Sequence, residues 1–258
     1  MSRLRAKCPH CRTFTAVALG PDYQCHACGA EFRAGLVRVP RAWGKGGEAM
    51  AEAAALELPY PEAAVVAEDS LEDQHLVLAS ELPERPLVLG GCCCSHVGAV
   101  EGLAARHDRL ALIWIDAHGD LNTPETSPSG NEWGMPLRMI LDSGAVEPAR
   151  VALLGARNLD PPEVEFVAAA GVNTGGGAVE RALHDVDCVY VAIDFDGLDE
   201  REVGAFMPEP DGIRMDEAER ILNGVASAAT VVGAGLSGLV PDPRNLSQAT
   251  RLTAALGL

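Results

Sequence analysis

The chain has few aromatic residues and no long apolar run. Phe, Trp and Tyr make up 4% of its 258 residues, so Val, Leu, Ala and Ile must supply most of a core. No apolar run approaches the roughly 20 residues that span a bilayer. The opening stretch MSRLRAKCPHC lacks the apolar segment of a secretory signal peptide. These absences favour a cytoplasmic protein, in which the eight cysteines are better explained as metal ligands or buried thiols than as disulfides.

Basic residues are scarce outside the N-terminus. The formal net charge is −17, yet residues 1–45 contain eight Lys and Arg residues against two acidic ones, so the rest of the chain carries −23. So acidic a body is a poor partner for nucleic acid or for an anionic membrane surface. A nucleic-acid-binding function would therefore suit only the basic N-terminus.

The N-terminus contains two cysteine pairs with the spacing of a metal site. Cys8 and Cys11 form the first pair, and Cys25 and Cys28 form the second after thirteen intervening residues. Two such knuckles bring four thiolates into the tetrahedron that structural zinc prefers, and Gly29 permits the tight turn after the second knuckle. We predict a structural Zn²⁺ site in a zinc ribbon over residues 1–34, with an iron site or two disulfides as the alternatives.

Residues 35–258 contain short apolar runs that alternate with helical segments. The runs include LVRV at 36–39, LVLG at 87–90, LALIWI at 110–115 and VYVAID at 189–194. Continuous apolar strands that alternate with helices are typical of a parallel sheet covered on both faces. Ligands of such folds bind at the carboxyl ends of the strands. We therefore predict one α/β domain over 35–258.

Asp116, His118 and Asp120 directly follow the run at 110–115. Alternation along a strand puts these three side chains on one face. Two carboxylates and an imidazole on one face repel or desolvate one another unless a cation lies between them. A divalent metal site explains the pattern, and an Asp-rich turn with a helix cap is the alternative.

A second acidic pair, Asp194 and Asp196, ends the run at 189–194. Turn chemistry in the segment DGLD is the other explanation of this pair. Because two strands end in the same arrangement, we predict that both sets of side chains form one metal centre. Oxygen ligands with one imidazole suit Mn²⁺ or Mg²⁺, and carboxylates from two strands can bridge two ions about 3.5–4 Å apart.

The stretches DAHGDLNTP and IDFDGLD resemble the two metal-binding signatures of the arginase/agmatinase family, the manganese ureohydrolases. The resemblance spans roughly residues 35–258 and includes VRVPRAWG and VLGG. It implies a three-layer α/β/α sandwich around a mostly parallel sheet, one or two Mn²⁺ ions, and a trimer or hexamer. It also implies hydrolysis of a guanidino or related amidine group, with His118 and Asp120 as the candidate catalytic residues.

The resemblance gives an incomplete set of metal ligands. The family's third metal motif reads GGDHS, and the corresponding stretch here is GGCCCS, with Cys93 in the place of the metal-binding histidine. One ion site of the family is complete and consists of Asp116, His118, Asp194 and Asp196. The other combines Asp116, Asp120 and Asp194 with Cys93, whose soft sulfur would shift selectivity toward zinc or iron.

The residues around Cys93 have simpler explanations. Cys92 and Cys94 are expected to be small buried residues where a strand meets a helix. His96 stands one helical turn further on and offers a substitute ligand. We expect it instead to cap the helix or to pack on its surface.

The same resemblance assigns recognition of an α-amino acid head group to Asn122, Ser127, Ser129, Asn131 and Asp160. Hydroxyl and amide donors suit a carboxylate, and a carboxylate suits an ammonium, although ordinary loop chemistry also explains TPETSPSGN. At the other end of the substrate, Trp133 stands where the family has a proton-transferring histidine. Gly238 stands where it has a guanidinium-binding glutamate, and Glu132 is the nearest spare acid.

Two functions are compatible with this pattern. The first is a metal-dependent hydrolase of a C–N bond in a small guanidino or amidine-type substrate, with arginine itself a poor substrate. The second is an inactive arginase-fold binding or scaffold protein that uses the zinc ribbon as a contact surface. The intact acidic and imidazole ligands favour the enzyme, whereas Trp133, Gly238 and the CCC run favour the scaffold. The expected partners are a small-molecule substrate and further copies of the chain, without a membrane or nucleic acid.

Overall fold

The computed structural model describes residues 5–8, 10–19, 22–32 and 35–258. In this part of the chain, a seven-stranded sheet carries helices on both faces, and a three-stranded antiparallel sheet lies near the N-terminus. All strand pairs of the larger sheet are parallel, which confirms the predicted α/β architecture. No helix within the described ranges is long and apolar enough to cross a membrane. Residues 33 and 34, where we place the end of the ribbon, lie outside the described residues.

Ten strands and eight helices are described. The strands are β1 (Ala16–Leu19), β2 (Asp22–Cys25), β3 (Glu31–Phe32), β4 (Leu36–Val39), β5 (Glu62–Val65), β6 (Leu87–Gly90), β7 (Leu110–Ile115), β8 (Val151–Leu154), β9 (Cys188–Asp194) and β10 (Thr230–Ser237). The helices are α1 (Glu48–Ala53), α2 (Leu71–Glu81), α3 (Ser95–Ala104), α4 (Pro136–Asp142), α5 (Pro161–Ala170), α6 (Ala178–Ala182), α7 (Met215–Ala228) and α8 (Pro243–Ala255).

The apolar runs form strands that are buried on both faces. Every residue of β7 is buried. Leu112 and Trp114 belong to one apolar cluster, whereas Ile113 and Ile115 belong to the cluster on the opposite face. Because successive side chains point to opposite faces, a strand between two helical layers must be apolar at every position. The sheet is therefore the middle of three layers.

The order of the larger sheet determines where the polar residues meet. Its strands run β5-β4-β6-β10-β9-β7-β8. The four adjacent strands β6, β10, β9 and β7 lead directly into the segments that carry Cys93, Gly238, Asp196 and Asp116. Since parallel strands have their carboxyl ends at one edge, these segments are neighbours.

Helix α1 is shorter than the stretch EAMAEAAALEL suggests. It ends at Ala53, although the helix-favouring composition continues to residue 58. The guanidinium of Arg38 donates to the carbonyl oxygens of Ala54 and Leu56, at 2.7 and 2.8 Å. A cation on the free carbonyls of a last turn stabilises the end of a helix. A long-range contact therefore stabilises the segment in which this helix ends.

The N-terminal antiparallel sheet lies beside the edge strand of the larger sheet. Strands β1, β2 and β3 pair in sequence order. The amide of Lys7 donates to the carbonyl oxygen of Glu62 in β5, which is the terminal strand of the seven. Ala6 and Tyr23 belong to the same apolar cluster as one face of the large sheet. The two sheets therefore share buried surface.

Helices α2 and α3 approach each other through two glycines of α3. A Cβ atom on Gly98 would lie 2.4 Å from the carbonyl oxygen of His75, and one on Gly102 would lie 2.5 Å from that of Ala79. Real Cβ atoms are not found so close to a carbonyl oxygen. Gly98 and Gly102 are four residues apart, as are His75 and Ala79, so each pair lies on one face of its helix. The two helix backbones can therefore approach each other at both contacts.

The substitution Gly98→Ala is expected to lower the free energy of unfolding by about 1–3 kcal/mol, because the added methyl group pushes α2 away from α3. Gly224→Ala is the matched control, since Gly224 lies in α7 and a Cβ atom there would have nothing within 4 Å. There the better helix propensity of Ala should raise stability by up to about 1 kcal/mol. Urea unfolding followed by circular dichroism measures both, and equal changes in the two variants would contradict the close approach.

Candidate metal centre and pocket

The five predicted ligands of the body lie together at the carboxyl edge of the large sheet. Asp116, Asp120, Asp194 and Asp196 are buried, and His118 is partly buried. Asp120 has a left-handed backbone with a φ of 52°, a conformation in which Asp is tolerated. The backbone turn after β7 therefore brings Asp120 back toward the strand end.

These side chains form two overlapping groups of candidate ligands. Asp116, His118 and Asp196 offer atoms that all lie within 4.8 Å of one another, and so do Cys93, Asp116 and Asp120. Asp116 belongs to both groups and is therefore placed between them. Asp194 belongs to neither group, but its Oδ2 lies 2.8 Å from Cys93 Sγ.

Backbone amides hold one oxygen of each central carboxylate. Asp116 Oδ1 accepts from the amide of His118 at 2.8 Å, and Asp196 Oδ1 accepts from the amide of Ala117 at 3.0 Å. Asp194 Oδ1 accepts from the amide of Asp196 at 3.0 Å. These bonds fix the orientation of the carboxylates and leave further lone pairs free to bind a cation.

Burial and mutual repulsion make the negative charges costly. Burial, with the charge of Asp196 added, raises the pKa of Asp194 to about 7. Burial, with the charge of Asp116 added, raises the pKa of Asp196 to about 6. Burial raises the pKa of Asp120 well above its usual value. Buried carboxylates of this kind require a cation to remain charged together near neutral pH.

His118 lies where a cation is needed. Its Nδ1 is 3.1 Å from Asp196 Oδ2 and 3.5 Å from Asp116 Oδ1. Burial disfavours the imidazolium, but these two carboxylates outweigh burial and raise the pKa of His118 to about 12. A proton on Nδ1 and a metal ion would therefore compete for one place between the carboxylates.

The donor set fits divalent cations. Asp120 Oδ2 and His118 Nε2 are buried without a hydrogen-bond partner among the described residues. No Lys or Arg occurs among the described residues that line the adjacent cavity. Unpartnered buried oxygens and uncompensated charge are features of a metal site.

The three consecutive cysteines have different surroundings. Cys93 faces the carboxylates, with Sγ 3.7 Å from Asp116 Oδ2. Cys92 and Cys94 are buried in a small apolar cluster with Met50, as the sequence predicts for small buried residues.

The expectation for His96 is wrong, because this residue is fully buried rather than on the surface of its helix. Its Nδ1 lies 3.1 Å from the hydroxyl of Tyr190, and its Nε2 lies 3.0 Å from Ser237 Oγ. The imidazole occupies space that Gly235 leaves open, since a Cβ atom there would lie 2.4 Å from the ring. His96 belongs to neither ligand group.

A cavity of about 270 Å³ opens beside the carboxylates. Four of the predicted substrate-binding residues line it: Asn122, Ser127, Ser129 and Asp160. Asn122 Nδ2 donates to Asp160 Oδ2 at 2.9 Å. Asn131 is not part of the lining, and its Oδ1 accepts from the amide of Lys45 at 3.1 Å. The structure therefore does not bring Asn131 to the cavity, because Asn131 secures a neighbouring loop.

Glu163 is a residue of the site that sequence reasoning misses. It is buried and lines the cavity, and its carboxylate accepts from the amides of Leu121 and Asp160 at 2.9 and 2.8 Å. It thereby joins the loop after β7 to the start of α5. The spacing Asp160-x-x-Glu163 is the pattern of a capping box and offers a signal for this role.

Part of the cavity lining is aromatic. Trp133 and Phe206 pack edge to face, with ring centroids 5.7 Å apart. The indole fills the space above Gly44, where a Cβ atom would lie 2.4 Å from the ring. Glu132 is exposed and is absent from the lining. The carboxylate of Glu132 therefore does not line the cavity.

Gly238 lines the cavity next to Asp194. It has a φ of 67°, and a Cβ atom there would lie 2.0 Å from Asp194 Oδ1. Both the backbone conformation and the space exclude a larger side chain. A glutamate at this position is therefore incompatible with the present position of Asp194.

The four N-terminal cysteines also lie together. Their sulfur atoms are all within 4.8 Å of one another, with Cys8 3.6 Å from Cys28 and Cys11 3.5 Å from Cys25. None of them forms a disulfide. In a tetrahedron with Zn–S bonds of about 2.3 Å, neighbouring sulfurs are about 3.8 Å apart, close to these distances.

Comparison with known proteins agrees with the geometry. A family model described as "Arginase family" matches residues 49–257. The arginase of Bacillus caldovelox is 33% identical over 189 residues, which cover 62% of this chain and 63% of that protein. The match thus spans less than two thirds of the length of that relative.

Solved structures show the same fold. The crystal structure of arginase from Bacillus subtilis has a TM-score of 0.75 and 25% identity, and the alignment covers 86% of this chain and 97% of that one. Formimidoylglutamase from Bacillus subtilis has a TM-score of 0.65 at 17% identity, covering 86% and 85% of the two chains, which shows a shared fold alone. With the family model matching most of its length, the chain belongs to the arginase family.

Proposed function

We propose that the protein is a metal-dependent hydrolase of a C–N bond in a small guanidino or amidine-type substrate that carries an α-amino acid head group. The observation that supports this most is the pair of ligand groups that share Asp116 beside a cavity with one polar end. A binding protein without catalysis would gain nothing from buried carboxylates that repel one another.

The proposed cofactor of the body is Mn²⁺, as one or two ions. The proposed ligands are Asp116, His118, Asp120, Asp194 and Asp196. Divalent ions held there would supply a water-derived nucleophile at neutral pH and polarise the carbon under attack.

Asp120 and His118 are the proposed catalytic side chains. Asp120 Oδ2 is buried, lines the cavity and has no partner among the described residues, so it can accept the proton that the attacking water gives up. His118 orients the centre, and its Nε2 lies 3.8 Å from Glu209 Oε1. At this distance the carboxylate of Glu209 is an electrostatic neighbour of Nε2 and not a hydrogen-bond partner.

The polar end of the cavity suits an α-amino acid. Ser127 and Ser129 offer hydroxyl donors to a carboxylate, with their Oγ atoms 3.5 Å apart. Asp160 keeps free lone pairs for an ammonium after accepting one bond from Asn122. This division orients the head group away from the metal centre and the bond to be broken toward it.

The N-terminal residues 1–34 are proposed to be a zinc ribbon beside an arginase-like domain over 35–258. Eight cysteines without disulfides fit a reducing compartment, for which the cytoplasm is the proposal. The likeness to arginases supports a homo-oligomer as the working assembly.

The first test concerns Asp116. Asp116→Asn is expected to lower the affinity for Mn²⁺ by at least about tenfold, because Asp116 belongs to both ligand groups. The rate of substrate turnover should fall together with the metal affinity. Equilibrium dialysis with elemental analysis measures the bound metal. Asp185→Asn is the matched control, since that side chain is 82% exposed. Unchanged metal binding in Asp116→Asn would disprove the shared role.

The second test concerns arginine. Urea release from arginine is expected to be weak, because the cavity presents Trp133 and Gly238 where a proton donor and a guanidinium-binding carboxylate are needed. Urea, formamide and ammonia should be measured from arginine, agmatine, guanidinobutyrate and formiminoglutamate.

Trp133→His should raise urea release from arginine by about tenfold or more, since it restores a titratable group. Trp43→Phe, whose indole bonds Gln74 instead, is the control. Rapid arginine hydrolysis by the unaltered protein would contradict the prediction. No turnover of any of the four substrates with metal bound would favour the scaffold alternative.

The third test concerns the N-terminal cysteines. We expect Cys25→Ser to lower the zinc content by one ion per chain and to destabilise residues 5–32, because metal binding supplies the folding free energy of such small modules. Cys188→Ser, a buried cysteine of β9, should leave the zinc content unchanged. Elemental analysis measures both variants, and equal zinc in both would exclude the ribbon site.

A further inference from the structure

Cys93 introduces sulfur into a centre of oxygen and nitrogen atoms. Its Sγ lies 2.8 Å from Asp194 Oδ2, and its side chain is buried. With Asp116 and Asp120 it forms one of the two ligand groups, whereas the other group contains only oxygen and nitrogen atoms. The two groups share Asp116 but therefore differ in softness.

A row of hydrogen bonds leads to this sulfur from the interior. The hydroxyl of Tyr190 lies 3.1 Å from His96 Nδ1, His96 Nε2 lies 3.0 Å from Ser237 Oγ, and Ser237 Oγ lies 3.1 Å from Cys93 Sγ. Burial lowers the pKa of His96 to about 3, so the imidazole is neutral and has one N–H.

The distances are compatible with either tautomer of this imidazole, and one of the two directs the row toward Ser237. When Tyr190 donates to Nδ1, the Nε2–H donates to Ser237, whose own proton is left to donate onward. The acceptors in reach are Cys93 Sγ and, at 3.2 Å, Asp194 Oδ2. The Cys93 thiol itself donates to Asp194 Oδ2. Burial and the neighbouring carboxylates raise the pKa of this thiol, so the thiolate that binds metals forms only when an ion takes the place of the proton.

We propose that Cys93 binds as a thiolate at the ion position that it shares with Asp116 and Asp120, and that this position selects Zn²⁺, Fe²⁺ or Co²⁺ over Mn²⁺. The position formed by Asp116, His118 and Asp196 has only oxygen and nitrogen ligands and prefers a harder ion such as Mn²⁺. The centre is therefore built for two unlike ions. This inference rests on the proposed metal-dependent function.

Cobalt is the probe for the sulfur ligand. The full-length protein, freed of metal, is titrated with Co²⁺ while the sulfur-to-cobalt charge-transfer absorption is recorded. The N-terminal cysteines contribute to this absorption in every variant, so the informative quantity is the difference between the unaltered protein and Cys93→Ser. We expect part of the absorption to be lost in Cys93→Ser and none in Cys94→Ser, whose side chain lies in the separate cluster with Met50.

Selectivity is measured by competition between Zn²⁺ and Mn²⁺ in equilibrium dialysis. Cys93→Ser should lose at least about tenfold in affinity for Zn²⁺ at one position, with a smaller change for Mn²⁺. Cys93→His restores a neutral nitrogen ligand and should shift that position toward Mn²⁺. Circular dichroism and retention of the N-terminal zinc establish that each variant is folded, and the histidine variant keeps the test decisive if the serine variant unfolds.

Equal cobalt absorption in Cys93→Ser and the unaltered protein would overturn the proposal, as would equal preference for Mn²⁺ at both positions. The outcomes for the sulfur ligand and for the enzyme hypothesis can be told apart. A Cys93-dependent absorption without turnover of any substrate supports the sulfur ligand and removes the catalytic function. Turnover without that absorption keeps the function and removes the sulfur ligand.

Discussion

The mutual repulsion of four buried carboxylates is the constraint on which the rest of the site depends. Parallel strands bring Asp116, Asp194 and their neighbours to one sheet edge, where burial raises the pKa of each carboxyl group. Such a cluster is stable in its charged form only with cations among the oxygens. Backbone amides hold one oxygen of Asp116, Asp194 and Asp196, and no Lys or Arg occurs in the described cavity lining, so both features are compatible with a bound cation.

The cavity lining combines polar and aromatic side chains. Its polar end is built by Asn122, Ser127, Ser129 and Asp160, and Glu163 ties two of the loops together. Its aromatic end, formed by Trp133 and Phe206, offers surface without charge. The arginase-family fold thus accounts for the sheet edge where the carboxylates meet, and Trp133 and Phe206 add an uncharged surface to the cavity beside them.

Much of the architecture could be predicted because its signals are local. Apolar runs mark the strands, and the residues that follow them mark the site, because parallel strands have their carboxyl ends at one edge. The alternation argument for Asp116 and His118 does not apply, since β7 ends at Ile115 and both residues lie beyond it. Other features depend on contacts between distant segments. Arg38 binds carbonyl oxygens just beyond the end of α1, and the burial of His96 depends on the missing side chain of Gly235. The spacing of Asp160 and Glu163 predicts a capping box at the start of α5. It does not predict that Glu163 also accepts from Leu121 in the loop after β7.

The contact between Lys7 and Glu62 has a consequence for how copies of the chain behave toward one another. Strand β5 pairs with β4 on one side only, so its other side presents backbone groups that can recruit a strand from another molecule. The N-terminal segment occupies that side at Glu62. Displacement of this segment would leave the backbone groups of β5 at Glu62 open to pairing with a strand of another copy of the chain.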